Sequence, residues 1–147
     1  MDETLAYLIQ LKRHLNSIEH MIYVSCKFTR TTEMLRKVME TIVQGYEEFF
    51  AAAYTIMITD EDHQNRQING IHDKIELLRD SLEQQGIEVD LSDYFLLKKL
   101  LMSDFDSIGE YRKNLCMVTY IDGEEYVINM SRLLEFYNSL RSEEHTS

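Results

Sequence analysis

The sequence predicts a mainly α-helical fold: an antiparallel four-helix up-down bundle with a C-terminal β-hairpin and a short fifth helix. Three observations carry that expectation. Four runs repeat apolar residues at alternating steps of three and four, proline is absent, and one late stretch switches to alternation around an Asp-Gly pair. A helix with an apolar stripe must bury it against other elements, so several such helices cluster along their stripes.

The first stripe is Leu8, Leu11, Leu15, Ile18 and Ile22, and its continuation falls on the polar Ser25, Thr29, Thr32 and Arg36. The second, Leu35, Val38, Ile42, Gly45, Phe49, Ala52 and Ile56, is out of phase with it. An uninterrupted helix would turn its apolar face to water, so a reversal is expected at 24–32. Thr31 or Thr32 would cap the second helix, with Glu33 in its first turn. Gly45, in mid-stripe, is expected where a neighbouring helix approaches closely. Residues 59–66 read as an exposed polar loop and His63 as part of it. The third stripe is Ile68, Ile71, Ile75, Leu78 and Leu82, bounded by Gly70 and Gly86. The fourth is Tyr94, Leu97, Leu101, Phe105 and Ile108, starting after Asp90 or Ser92 and ending near Gly109.

Residues 116–121 and 124–129 are β-rich and flank Asp122-Gly123, a pair suited to the positive φ angles of a type I′ turn. That turn sets Met117 opposite Ile128, Thr119 opposite Tyr126, and Val118 opposite Val127. Ser131 would then cap a last helix with Leu133, Tyr137 and Leu140 inward.

Residues 1–140 read as one domain of a size that removes roughly 70% of its extended-chain surface from water. The last seven residues, 141–147, resemble an in-frame translation of a common sequencing adapter and are expected to be a non-native tail. The N-terminus lacks a basic start and an apolar segment, so no signal peptide is expected and the location is cytoplasmic. No apolar run is long enough to span a bilayer, and no membrane association is expected. Cys26 and Cys116, with no other cysteine, form no disulfide framework.

The net charge is −11, unevenly spread: residues 1–58 hold six basic and seven acidic side chains, residues 59–140 eight and seventeen. Duplex DNA is an unsuitable partner for so acidic a body, because phosphate neutralisation dominates such binding. No cofactor, catalytic grouping or metal site is expected. The Glu-x-x-His pairs of a di-iron bundle are missing (Asp60 and His63 come nearest), as are Cys-x-x-Cys and a phosphate-binding Gly-rich loop.

Two segments stand out against this background. In the reversal, Lys27 and Arg30 precede a helix N-terminus, and Arg36 and Lys37 follow one turn later. Such a terminus presents unpaired N–H groups and partial positive charge to an anion, with Tyr23 and Phe28 as stacking rings. The alternative is that these aromatics plug the bundle end while the cations are solvated. The second segment, Glu110-Tyr-Arg-Lys-Asn114, adds Tyr111, Arg112 and Lys113. In an up-down bundle the two segments lie at opposite ends, roughly 33 Å apart along a helix of about 22 residues. They share a site only across a dimer or in a different topology.

Tyr23-x-x-x-x-Phe28-Thr-Arg-Thr31, with the later Glu110-Tyr-Arg-Lys113 and a hairpin, resembles an uncharacterised archaeal family of small helical proteins. The layout is more loosely similar to HEPN domains. The HEPN likeness implies dimerisation and, in many members, RNA cleavage by a closely spaced arginine and histidine on a late helix. Here no histidine lies near Arg112 or on the fourth helix. Arg66 with His72 falls at a loop-to-helix junction and Arg13 with His20 in the first helix, where chance accounts for both. The expectation is a non-enzymatic interaction protein, homodimeric or bound to a protein partner. The alternative is a single-stranded RNA-binding or degenerate ribonuclease-like module.

Overall fold

The computed structural model describes residues 3–57, 71–84 and 91–146. It is mainly helical, with a three-stranded antiparallel sheet and a C-terminal helix. Helix α1 (Glu3–His20) runs into a π-helical turn (Met21–Ser25) and a final turn, α2 (Cys26–Phe28). The i→i+5 turn keeps Ile22 and Cys26 both inward, so the helical path outlasts the apolar stripe by six residues. It stops at Thr29, whose φ of −121° and ψ of 89° leave the helical region. Then α3 (Thr32–Met57) begins, with the Thr31 hydroxyl accepting the Met34 N–H at 3.2 Å as an N-cap.

Helix α3 is the centre of the fold. It packs against α1, α4 (Ile71–Gln84), α5 (Ser92–Leu101) and the last helix, α6 (Met130–Thr146). Its buried face is wider than the stripe read from the sequence, taking in Met39, Val43, Tyr46, Phe50 and Ala53 besides Leu35, Val38, Ile42, Phe49 and Ala52. Contact with four helices demands that width. Gly45 sits where α3 meets α6 and α1: a Cβ there would lie 2.6 Å from Leu140 Cδ2 and 3.8 Å from His14 Cβ. The Thr41 hydroxyl faces Met21 Sδ, so α1 and α3 are antiparallel. Tyr94 meets Glu47 while Leu101 meets Arg36, so α5 is also antiparallel to α3.

The fourth stripe does not form one helix. Helix α5 ends at Leu101, with Lys98 and Lys99 in its last turn. Residues 106–108 instead form β1 (Asp106–Ile108), which pairs with β2 (Cys116–Ile121) as Asp106 to Val118 and Ile108 to Cys116. The Thr119 hydroxyl ties the approach by donating to the Asp104 carbonyl at 2.7 Å. Phe105 is held outside the helix, beneath the Arg36 guanidinium at 5.6 Å. The expected hairpin is thus two strands of a three-stranded sheet, completed by β3 (Glu124–Ile128) in the register expected from Asp122-Gly123. Asp122 and Gly123 have φ of 53° and 82°.

The last helix is long rather than short, with Leu133, Phe136, Tyr137 and Leu140 buried. Its cap is Asn129, whose Oδ1 accepts the Arg132 N–H at 2.9 Å, not Ser131. The backbone of residues 141–146 continues this helix. At the start of α5, Leu91 occupies the N-cap position without a side-chain bond. Ile68, Gly70, Gly86, Asp90 and the loop at 59–66 lie outside the described residues. No described helix is long and apolar enough to cross a membrane.

Candidate functional site

The two segments singled out in the sequence meet. The Tyr111 N–H donates to the Arg30 carbonyl at 2.6 Å. One residue earlier, Glu110 Oε1 accepts from the Thr32 N–H at 3.0 Å, the Thr32 hydroxyl at 2.8 Å and the Ser107 hydroxyl at 3.1 Å. The separation of about 33 Å expected from an up-down bundle is therefore overturned. The chain from α5 through β1 carries residues 109–113 back to the end where α2 gives way to α3.

This junction corrects the chemistry expected at the α3 N-terminus. The Thr32 N–H is met by the protein's own Glu110 carboxylate and the Met34 N–H by the Thr31 hydroxyl, so these two first-turn donors are engaged within the chain and the acid sits at the positive end of the helix. The Thr32 N–H, then the Thr32 and Ser107 hydroxyls, hold the Glu110 carboxyl below the usual carboxylate range. A lowered folded-state pKa stabilises the junction at pH above the ordinary carboxylate value. That stabilisation is lost as pH falls through the lowered value.

The aromatics at this corner are not plugs. Phe28 is 85% exposed, Tyr111 78% and Tyr23 51%. Tyr111 is held in the left-handed region at φ 66°, uncommon for a bulky side chain. Gly109 precedes it at φ 79°, with the Asn114 side chain against its open face. Lys27, Lys37, Arg112 and Lys113 are exposed and Arg30 is half-buried. Among the described residues none of these five makes an ion pair with a carboxylate.

Arg36 has a different duty. Its guanidinium donates to the Leu101 carbonyl at 3.0 Å and covers the Phe105 ring, fastening the end of α5 to α3. It is a structural clamp rather than part of an open binding surface, and Lys37 lies beside it one turn into α3. The corner thus joins the segment that holds Lys27, Phe28 and Arg30 to the one that holds Tyr111, Arg112 and Lys113, with Tyr23 two helical turns back from the break. Lys113 also lines a groove with Val127, Asn129 and Ser131.

Thr32, Ser107 and the capping role of Glu110 escaped the sequence reading. Their partners are as many as 78 residues apart, and no periodicity reports such a pairing. Among the described residues no three His, Cys, Asp or Glu side chains gather to hold a metal. Arg13 and His20 both lie on α1, away from this corner in the chain, whereas Arg66 and the His72 side chain fall outside the described part. No protein-family model, curated protein or solved structure matches this chain.

Proposed function

We propose that this corner binds single-stranded RNA without cleaving it. The observation that carries the reading is the bond from Tyr111 N–H to the Arg30 carbonyl. It joins two sequence-distant sets of cations and exposed rings on one surface. Unstacked bases lie on exposed aromatic rings while neighbouring cations meet the phosphates, and this needs no base pairing and no deep groove. Phe28 and Tyr111 supply the rings, and Lys27, Arg30, Arg112 and Lys113 the charge. The acidic excess of the chain, concentrated in residues 59–140, disfavours a polyanion over much of the remaining surface.

Fluorescence anisotropy with a labelled single-stranded RNA oligonucleotide tests this reading. Binding should weaken with salt, and the log–log slope should shrink by about 0.7 for each contacting cation removed, as in Arg30→Ala. Salt-insensitive binding, or equal binding by wild type and Arg30→Ala, removes the reading.

The alternating bundle belongs to this proposal as the scaffold of the corner. We propose that it is formed by α1, α3, α5 and α6 running alternately up and down, with α4 beside α3, rather than by the four striped runs with a short fifth helix that the sequence leads one to expect. A homodimer is the second reading. It is favoured by the outward face of the sheet, where Ile108, Tyr120 and Val127 stay exposed on neighbouring strands. Light scattering at twice the chain mass of 17.5 kDa, reduced to one chain mass by Val127→Asp, supports it. A single chain mass in the wild type removes it.

A further inference from the structure

A cleft of about 400 Å³ opens between α5 and the β2–β3 turn, away from the RNA-binding corner. Phe95 and Leu96 from α5 line it, with Ile121 and Tyr126 from the strands. Its charged groups are divided by element. Lys99 belongs to the helix side, whereas Asp122 and Glu124 belong to the turn side. No ion pair within 4.0 Å joins Lys99 to either carboxylate, so opposite charges line one space without closing on each other.

The carboxylate side is well fixed. Asp122 and Gly123 are the two turn residues at positive φ, a geometry the tight hairpin requires. Glu124 is anchored through one oxygen, Oε2, which accepts from the Tyr126 hydroxyl at 3.1 Å. Its other oxygen has no partner among the described residues. The same bond, together with burial and the charges of Glu124 and Asp122, raises the Tyr126 hydroxyl above its ordinary pKa, so it remains a donor at neutral pH.

We infer that this cleft binds a small zwitterion with an apolar side chain, an α-amino acid in chemical class: its carboxylate meets Lys99, its ammonium meets Asp122 and Glu124, and its side chain lies on Phe95, Leu96 and Ile121. The inference uses both signs of charge and the apolar groups in the lining, which also includes Ser92. An anion alone is repelled by two carboxylates, and a cation alone leaves Lys99 facing it as a like charge. A neutral apolar ligand leaves three charges to be desolvated without partners. A ligand with opposite charges at one end and a hydrocarbon at the other matches the arrangement. The site does not depend on the RNA reading, since it shares no residue with the corner.

Two-dimensional NMR of the intact chain, titrated with L-leucine, L-leucinamide and N-acetyl-L-leucine, tests the inference. Leucinamide keeps only the positive end and N-acetyl-leucine only the negative one. The expected result is saturable shifts of the Phe95, Leu96, Ile121 and Tyr126 resonances with leucine, and binding of both analogues weaker by about two- to fivefold, the range that one exposed charge contact contributes. Lys99→Met and Asp122→Asn should each weaken leucine binding to a similar degree. Asn keeps the turn intact, because it tolerates the left-handed region, and an unchanged thermal midpoint shows that both variants fold. No saturable shift at these resonances overturns the inference. So does an analogue that binds as tightly as leucine, or leucine binding that is indifferent to Lys99→Met.

Discussion

Phe50→Ala is expected to lower the thermal midpoint by about 10 °C, following a loss of about 3–5 kcal/mol. Phe50 is 2% exposed, on the face of α3 turned toward α5. Its ring meets Tyr94 edge-on at 5.1 Å and 89°, Phe49 at 5.8 Å and Tyr46 at 6.0 Å. Tyr94 in turn touches Tyr46 at 5.7 Å and Phe95 at 5.3 Å. Removing Phe50 takes away the buried hydrocarbon and the ring geometry together, and it leaves a cavity between two helices. The surrounding aromatics are rigid and cannot collapse into that space, which places the cost high in the usual range. Phe28→Ala is the matched control. That ring is almost fully in water, so its loss should move the midpoint by no more than about 1–2 °C, the range of an exposed substitution. Differential scanning calorimetry of the two variants decides the matter. If both melt alike, Phe50 is not at the centre of the core.

The same contrast shows what the chain discloses about itself. The α1 and α3 stripes are local, repeating signals. Leu11, Leu15, Ile18 and Ile22, and Leu35 through Ala52, are buried as their spacing implies, whereas Leu8, which begins the first stripe, is 38% exposed. The β2–β3 register was equally legible, because one Asp-Gly turn fixes every pair beyond it. Phe105 and Ile108 misled because a helical spacing also describes residues that reach a strand by another path. A three-residue strand is too short to display its own period, and β1 exists by virtue of its partner β2. The α6 cap was displaced by two residues for a similar reason: Asn129 and Ser131 are both good caps, and the end of β3 decides between them. The corner was legible as two separate clusters of cations and rings, but not as one site. Its closure rests on Glu110 with Thr32 and on Tyr111 with Arg30, bonds across most of the chain.

Tyr111→Gly should stabilise the fold while weakening RNA binding, a pair of opposite signs. At φ 66° the tyrosine carries a left-handed penalty of about 1–2 kcal/mol that glycine does not. Glycine gives back about 0.5–1 kcal/mol through the greater freedom of its unfolded chain. The net effect is a gain of about 0.5–1 kcal/mol. The N–H that binds the Arg30 carbonyl is retained, so the two halves of the corner stay joined. Only the ring is lost, and an alanine-type loss of one stacked base costs about 1–3 kcal/mol, or roughly 5- to 150-fold in affinity. Tyr111→Ala separates the two effects. It removes the ring but keeps the strain, so it should bind RNA as poorly as the glycine variant and melt below it. Tyr111→Asn should melt near glycine, because its short polar side chain tolerates this conformation. Thermal melts of the three variants, with anisotropy against the same RNA oligonucleotide, test both halves at once. A glycine variant that melts below alanine refutes the strain. Unchanged affinity in all three refutes Tyr111 as a stacking platform. A strained, exposed aromatic is costly to maintain for packing alone, and the stacking role proposed for Tyr111 would offset that cost.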